Sequence, residues 1–95
     1  MSNYELVFII NPEVADEDIT GIVNKVTELV NGIGGSVAEI DEWGRKKMAY
    51  PIKRFLEGNY VLAKLELEPV AAKKMETNFR FPDEILRHLL IRLKD

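Results

Sequence analysis

The sequence predicts an α+β fold with the element order β-α-β-β-α-β, in which two helices cover one face of a four-stranded antiparallel sheet. Three observations lead to this fold. An apolar segment opens the chain of 95 residues, a helical period of apolar residues follows, and residues 36–67 then alternate with a period of two. Because crossover connections are right-handed, this order gives the strand order 4-1-3-2 most economically. We expect a single domain over residues 1–95.

The first strand and the first helix follow each other closely. Residues 4–10 (YELVFII) are apolar on both faces, which is typical of a central strand, and an Asn-Pro pair ends them. Asp16 is predicted to cap a helix whose first turn is acidic, where the helix dipole favours negative charge. The Asn-Gly and Gly-Gly pairs within residues 31–35 end this helix. Its apolar stripe has helical spacing and comprises Ile19, Ile22, Val23, Val26, Leu29, Val30 and Ile33.

Residues 36–67 predict a long β-hairpin. Trp43 and Gly44 separate two alternating segments, and a bulge or bend is expected there because glycine accepts unusual backbone dihedral angles. The connection KRFLEGN, residues 53–59, leads into a third strand over residues 60–67. The two faces of that strand are predicted to be Val61, Ala63, Leu65 and Leu67 in the core, with Tyr60 and Lys64 opposite them.

A second helix and a last strand complete the chain. Glu68-Pro69 opens the helix, with proline at the first helical position. Pro82-Asp83 is predicted to end it, and EILRHLLIRL, residues 84–93, then forms the strand. The inward stripe of the helix is predicted to be Ala72, Met75 and Phe79.

Charge is distributed unevenly along the chain. Residues 1–44 hold one basic and nine acidic residues and residues 45–95 hold twelve basic and seven acidic residues, so the halves carry −8 and +5 and sum to −3. Five positive charges and no acidic residue lie between Arg45 and Arg54. Local patches rather than net charge set the affinity for phosphate, so the acidic average does not exclude RNA binding.

Catalytic chemistry has few candidates in this sequence. The absence of cysteine excludes disulfides, thiolate catalysis and zinc–thiolate sites, and no phosphate-loop or metal-ligand motif is present. The one imidazole, His88, lies between Leu86 and Leu90, where a structural role is expected. We therefore expect no enzyme, no cofactor, no metal and no small-molecule substrate. No apolar segment approaches the roughly 18 residues that span a membrane, and no signal peptide opens the chain, so a cytoplasmic location away from membranes is expected.

The basic run allows two interpretations. Arg45, Lys46 and Lys47 can be charges that prevent an edge strand from pairing with other sheets. They can also bind phosphate, with Tyr50 and Trp43 as planes on which an unstacked base rests. The two interpretations are compatible, because an edge kept clear of accidental partners can still accept one chosen partner strand.

The sheet face away from the helices offers further candidates. Tyr60 is expected on this face, and either Arg87 or its neighbour His88 faces outward in the last strand. Tyr4 belongs either to this surface or to the core end of its strand. An RNA-recognition motif needs several aromatic residues in its third strand, and this chain offers only Tyr60 there, so stacking of two bases on that strand is not expected.

The segment GRKKMAYPI, residues 44–52, resembles the signature of the bacterial small-subunit ribosomal protein six family. The similarity extends over residues 3–93, through YELVFIINP at the start, a Gly-Gly turn, EGNYVL, and FPDEILRHLLIR at the end. Met48 stands where leucine is usual in the family, which is a nearly isosteric change. Many members also carry a longer polar tail after the last strand.

The resemblance implies a ferredoxin-like fold and a structural role in assembling the small ribosomal subunit. It also implies binding to small-subunit ribosomal RNA together with ribosomal protein eighteen, as a heterodimer. Lys46, Lys47 and Tyr50 match the family signature by position. Charge and alternation add further candidate RNA-binding residues, which are Tyr4, Arg45, Lys53, Arg54, Tyr60 and Arg87. The partner protein is expected along the edge of the second strand, at Asp41, Glu42 and Trp43.

Two other classes of function use the same topology. A homodimeric ferredoxin-like domain would bind a small molecule on the open sheet face, and a stable dimer that is indifferent to RNA would favour it. An acylphosphatase-like enzyme needs an arginine-bearing phosphate loop after the first strand, but NPEVADED contains no basic residue.

Overall fold

The computed structural model describes residues 1–78 and 80–93, without the side chain of Asn78. The elements follow the predicted order, and their bounds are β1 (Ser2–Ile10), α1 (Asp16–Gly32), β2 (Ser36–Ile52), β3 (Phe55–Leu67), α2 (Pro69–Asn78) and β4 (Ile85–Arg92). The strands form one antiparallel sheet in the order β2-β3-β1-β4, which is the predicted order 4-1-3-2 counted from the other edge. The ferredoxin-like fold is therefore confirmed.

The core lies between the sheet and the two helices. Phe8 of β1 and Leu65 of β3 are fully buried on this face, and Val26 of α1 is buried against them. Val61, Ala63, Leu65 and Leu67 of β3 are all buried, with the alternation that was predicted for this strand. Burial of a leucine-sized or phenylalanine-sized side chain contributes roughly 1.5–3 kcal/mol, so this cluster dominates the stability of the domain.

The start of α1 differs from the prediction. Ala15, not Asp16, occupies the N-cap position, and no side chain caps the helix there. Ala15 has an extended backbone and its carbonyl oxygen accepts the amide N–H of Asp18 at 2.9 Å, so Asp16 becomes the first helical residue. Asp16, Glu17 and Asp18 lie in the first turn, where their charges still interact favourably with the helix dipole. At the other end, Gly34 has a φ of 84° and closes the turn that leads to β2.

The second helix begins as predicted and ends earlier. Pro69 is its first residue, and Ala72 and Met75 are buried inward. The predicted contribution of Phe79 lies outside the described residues. The expected end at Pro82-Asp83 is wrong, because α2 ends at Asn78. Phe81 precedes a proline, a position that disfavours helical dihedral angles, and residues 80–82 have no regular structure.

The hairpin spans residues 36–67 as predicted, but its turn is shorter than expected. β3 begins at Phe55, so only Lys53 and Arg54 connect it to β2, and the expected connection over residues 53–59 is wrong. Both turn residues have a positive φ, 48° and 67°, as a two-residue hairpin turn with the twist of the strands requires. The predicted bulge is confirmed, because the register shifts between Glu42 and Gly44, where Gly44 has a φ of 84°.

The far end of the hairpin extends past the rest of the sheet. β3 pairs with β1 only from Asn59 to Leu67, so residues 46–58 project beyond β1; we call this segment the arm. Ile9 and Met48 are buried although neither belongs to the core cluster between sheet and helices. The arm therefore bends over the open face of the sheet and covers Ile9. No helix in the described part of the chain is both long and apolar enough to cross a membrane.

Candidate nucleic-acid interface

Arg45 anchors the base of the arm. Its Nη2 atom donates a hydrogen bond to the carbonyl oxygen of Pro12 at 2.7 Å, and its Nη1 atom lies 3.7 Å from Oε2 of Glu57. The first contact joins β2 to the loop before α1, and the second joins β2 to β3. About half of the arginine side chain remains exposed. Pro12 engages one of the five N–H donors and Glu57 lies near the charge, so a phosphate would have to compete with both contacts.

Trp43 is the centre of an aromatic cluster at the bulge. Its ring stacks on Tyr60 with centroids 6.4 Å apart and an interplanar angle of 14°. The Nζ atom of Lys46 lies 5.2 Å from the Trp43 ring centroid, within the range of a cation–π contact. The indole N–H donates to Oδ2 of Asp41 at 3.0 Å. Trp43 and Tyr60 are thus brought together on the open face, and each ring occupies stacking surface of the other.

Three cations of the arm are free. Within residues 1–78 and 80–93, the side chains of Lys47, Lys53 and Arg54 make no hydrogen bond and no ion pair. All three are exposed, and two of them form the turn at the tip of the arm. With Lys46 held against an exposed ring, the arm presents a cluster of positive charge that no carboxylate of the described chain neutralises, apart from the pair of Arg45 and Glu57 at its base.

Arg87 and Tyr50 meet across the open face. Arg87 lies opposite Ile9 in the register of β1 and β4, so it faces away from the helices, whereas His88 lies opposite the core residue Phe8. The Nη1 atom of Arg87 donates a hydrogen bond to the Tyr50 hydroxyl, and its guanidinium carbon lies 5.8 Å from the centroid of the Tyr50 ring. The sequence did not decide whether Arg87 or His88 faces outward. The register shows that Arg87 does.

A cavity of about 260 Å³ lies between the arm and the sheet. Val7 and Ile9 of β1, Met48 and Ile52 of the arm, and Leu89 of β4 line it, together with Tyr50 and Arg87. Gly58 permits the close approach of the arm, because a Cβ atom at that position would collide with the Cγ2 atom of Ile9. The sequence pattern predicted Tyr50 and Arg87 for the site but missed the apolar residues of this cavity. The apolar outer face of β1 was the one signal that something covers it.

Tyr4 is not part of this surface. Its side chain is 6% exposed and lies in the core cluster between the sheet and the helices. The register explains this position, because Tyr4 lies opposite Leu65 of β3, a core residue. The structure therefore places Tyr4 at its alternative position, as the first core residue of β1, where its ring is not exposed to a partner.

His88 packs against the loop after α2. Its ring centroid lies 4.2 Å from that of Phe81, and burial lowers the pKa of the imidazole while the charge of Glu76 opposes this shift. In the described residues, no cluster of three or more histidine, aspartate or glutamate side chains could hold a metal ion.

These features define an interaction protein of the ferredoxin-like class. Its second strand is an edge with acidic residues Asp41 and Glu42 exposed, and its hairpin arm displays free cations beside aromatic rings. Such an arrangement is suited to contact with an extended polyanion and with a neighbouring protein.

Comparison with known proteins identifies the family. The sequence model of the family described as ribosomal protein S6 matches residues 3–92. The small ribosomal subunit protein bS6 of Moorella thermoacetica is 39% identical over 95 residues, which are 100% of this chain and 97% of that protein. The bS6 protein of Desulforamulus reducens is 38% identical over 92 residues, with 97% of each chain covered. The crystal structure of 30S ribosomal protein S6 from Thermotoga maritima superposes with a TM-score of 0.86 at 29% identity, covering 97% of this chain and 87% of that one.

The chain belongs to the ribosomal protein S6 family. It is a component of the small ribosomal subunit, which confirms the resemblance drawn from residues 44–52. The prediction of a non-enzymatic structural protein is confirmed, as is the expected location at the cytoplasmic ribosome. Family membership also decides against the acylphosphatase-like enzyme.

Proposed function

We propose that this protein binds small-subunit ribosomal RNA jointly with ribosomal protein eighteen, and that the arm carries the RNA contact. The phosphate-binding residues are Lys46, Lys47, Lys53 and Arg54. The observation that supports this most directly is that Lys47, Lys53 and Arg54 are exposed and unpaired within the described residues. A free cation loses little when it exchanges water and counterions for a phosphate, whereas a paired one must first give up its partner.

Aromatic rings add a second type of contact. Tyr60 and Trp43 stack on each other, and 42% of the Trp43 residue remains exposed. An unstacked base can add to this stack where a ring face is exposed. Such stacking does not depend on the identity of the base. Contacts of both kinds position the protein on RNA without reading its sequence.

Ribosomal protein eighteen is assigned to the edge of β2 and to the apolar part of the open face. The outer edge of β2 has no neighbouring strand in the described chain, and Asp41 and Glu42 are exposed along it. Leu89 and Ile91 of β4 are 57% and 42% exposed on the open face. Exposed apolar residues beside an unpaired strand edge are suited to a protein partner.

The test is binding to a fragment of small-subunit ribosomal RNA, with and without ribosomal protein eighteen, over a range of salt concentrations. We expect weak binding by the isolated chain and tighter binding with the partner. If three phosphates are neutralised, log K falls with log salt at a slope of about −2 to −3 from this chain. Lys46→Ala/Lys47→Ala should weaken binding and make the slope shallower by about 2, since each phosphate contact contributes about one unit.

A matched control separates the arm from general charge. Lys73→Ala/Lys74→Ala removes the same charge from two exposed residues of α2 and should leave the slope unchanged. Equal losses of RNA affinity in the two double variants would show that the effect comes from net charge and not from the position of the arm. Cooperative binding that is unaffected by Lys46→Ala/Lys47→Ala would keep the joint role and reassign the arm cations to protection of the edge strand. Absence of binding in every condition would refute the proposed function.

A further inference from the structure

The contact between Tyr50 and Arg87 joins the two opposite edges of the sheet. Tyr50 belongs to β2 and Arg87 to β4, and β3 and β1 lie between them. Strands are spaced by about 4.8 Å, so two strands in these positions are separated by about 14 Å. In a flat sheet, the two side chains would have to lie extended across β3 and β1 to meet. The arm bends over this face and brings Tyr50 to Arg87.

Most of the surface beneath the arm is apolar, and a cavity lies within it. Ile9 and Met48 are buried under the arm, and beside them lies the cavity of about 260 Å³. Apolar contact with an incompletely filled space is not directional, so it does not by itself fix where the arm rests. The polar contact at the far side is directional, since it combines a hydrogen bond to the hydroxyl with a guanidinium above the ring.

We infer that Arg87 is a positioning residue: it holds the arm across the sheet through Tyr50, and it supports the RNA contact by fixing the arm rather than by binding phosphate. The second half of this inference rests on the function proposed above. Tyr50 lies three residues before the turn that carries Lys53 and Arg54, so a fixed Tyr50 limits the positions of both cations. A binding surface that is ordered before the partner arrives loses less conformational entropy on binding.

The inference reassigns two residues. Tyr50 and Arg87 were expected to contact RNA, but the Arg87 guanidinium is committed to Tyr50 and lies over its ring. Lys47, Lys53 and Arg54 have no such commitment within the described residues. The geometry thus gives the basic residues two roles. Lys47, Lys53 and Arg54 present positive charge, whereas Arg87 orders the arm that carries them.

The first experiment measures amide hydrogen exchange in the free protein. Arg87→Gln and Tyr50→Phe should each accelerate exchange across residues 46–58 by about 2-fold to 10-fold, which corresponds to the net contribution of one hydrogen bond. The double variant should exchange no faster than the faster single variant, because both changes break the same contact. Exchange at Phe8 and Val61 in the core should remain at the wild-type rate, since a general loss of stability would accelerate those amides as well.

Two matched controls are available in the same sheet. Tyr60→Phe removes a hydroxyl that makes no hydrogen bond within the described residues, and Arg92→Gln removes an arginine of β4 that bonds to Ser2 instead of the arm. Neither should change exchange in the arm. Unchanged exchange in Arg87→Gln or in Tyr50→Phe would overturn the inference, whether or not the protein binds RNA.

The second experiment measures RNA binding and its salt dependence for the same variants. Tyr50→Phe removes no charge, so it can weaken binding only through the arm or through a lost contact of its own hydroxyl. We expect Tyr50→Phe and Arg87→Gln to weaken binding to a similar extent, with no further loss in the double variant. Additive losses, with a slope that becomes about one unit shallower only when Arg87 is replaced, would show a direct phosphate contact and overturn the positioning role. If the wild-type chain binds no RNA, the proposed function fails, and the exchange data alone decide whether Arg87 fixes the arm.

Discussion

Replacing Gly58 with alanine should lift the arm from β1. A Cβ atom at position 58 would collide with the Cγ2 atom of Ile9 and would lie 3.4 Å from the carbonyl oxygen of Ile10. Ile9 cannot move away easily, because its β-branched side chain has a restricted χ1 angle and is buried under the arm. The collision involves a methyl group next to the backbone, so relief requires a shift of the arm itself.

The size of the effect follows from two opposing contributions. Overpacking by a methyl group costs about 1–3 kcal/mol. Alanine also restricts the unfolded chain, which contributes roughly 0.5–1 kcal/mol in favour of folding where the backbone has a negative φ, as Gly58 does. Taken at the middle of both ranges, the net loss in the free energy of unfolding should be about 1 kcal/mol, which lowers the melting temperature by about 4–8 °C for a domain of this size.

The assay is equilibrium urea denaturation, followed by the fluorescence of Trp43 and by circular dichroism. Gly21→Ala is the matched control, because a Cβ atom there meets nothing within 4 Å and the residue lies inside α1. The control should raise the free energy of unfolding by about 0.5–1 kcal/mol, so the two glycine variants should differ in sign. Adding Ile9→Leu to Gly58→Ala removes the Cγ2 methyl group and should restore part of the loss. A neutral or stabilising Gly58→Ala would refute the position of the arm against Ile9.

Three further predictions follow from the turn, the histidine and the buried tyrosine. Lys53→Asn/Arg54→Gly supplies residues that favour a positive φ, so urea denaturation should show a gain of roughly 1 kcal/mol, while the RNA-binding salt slope becomes shallower by about 1–2 units. Burial lowers the pKa of His88 from 6.5, so the unfolded chain takes up this proton at a higher pH than the folded protein does. The free energy of unfolding should therefore decrease as the pH falls below about 6.5 and level off below the folded pKa, and His88→Gln should lack this component in a pH series of urea titrations. Tyr4→Leu should lower the free energy of unfolding by about 1–3 kcal/mol because it leaves space in the core, and the salt slope of RNA binding should stay at the wild-type value.

Much of the fold could be predicted because it follows from local sequence patterns. The apolar character of both faces of β1 placed that strand in the centre of the sheet, and the helical spacing from Ile19 to Val30 predicted the buried side of α1. The ends of elements were predicted less well. Asp16 is a residue type that favours the N-cap position. The extended backbone and the hydrogen-bonded carbonyl oxygen instead belong to Ala15, which is therefore the N-cap.

The candidate site divides in the same way. Charge alone was enough to choose Lys47, Lys53 and Arg54 as candidate phosphate-binding residues. Their side chains make no hydrogen bond or ion pair in the described structure, so their charge remains available. Arg45 and Lys46 have the same charge but are held by Pro12 and Trp43, and no sequence pattern distinguishes them from their free neighbours. Tyr4 was misassigned because alternation in a strand with two apolar faces does not say which face carries the helices.

The sequence by itself determined the order of the elements through periodicity and the family through a short motif. Together with the right-handed crossover rule, the element order also determined the strand order and the edge position of β2. Only the tertiary structure decided that the arm bends over the open face and that Tyr50 meets Arg87, which lies 37 residues further along the chain. The physical reason is that the close approach of Gly58 to the sheet depends on the residue that a Cβ atom at position 58 would touch. That neighbour, Ile9, belongs to another strand, and its position follows from the register of the whole sheet.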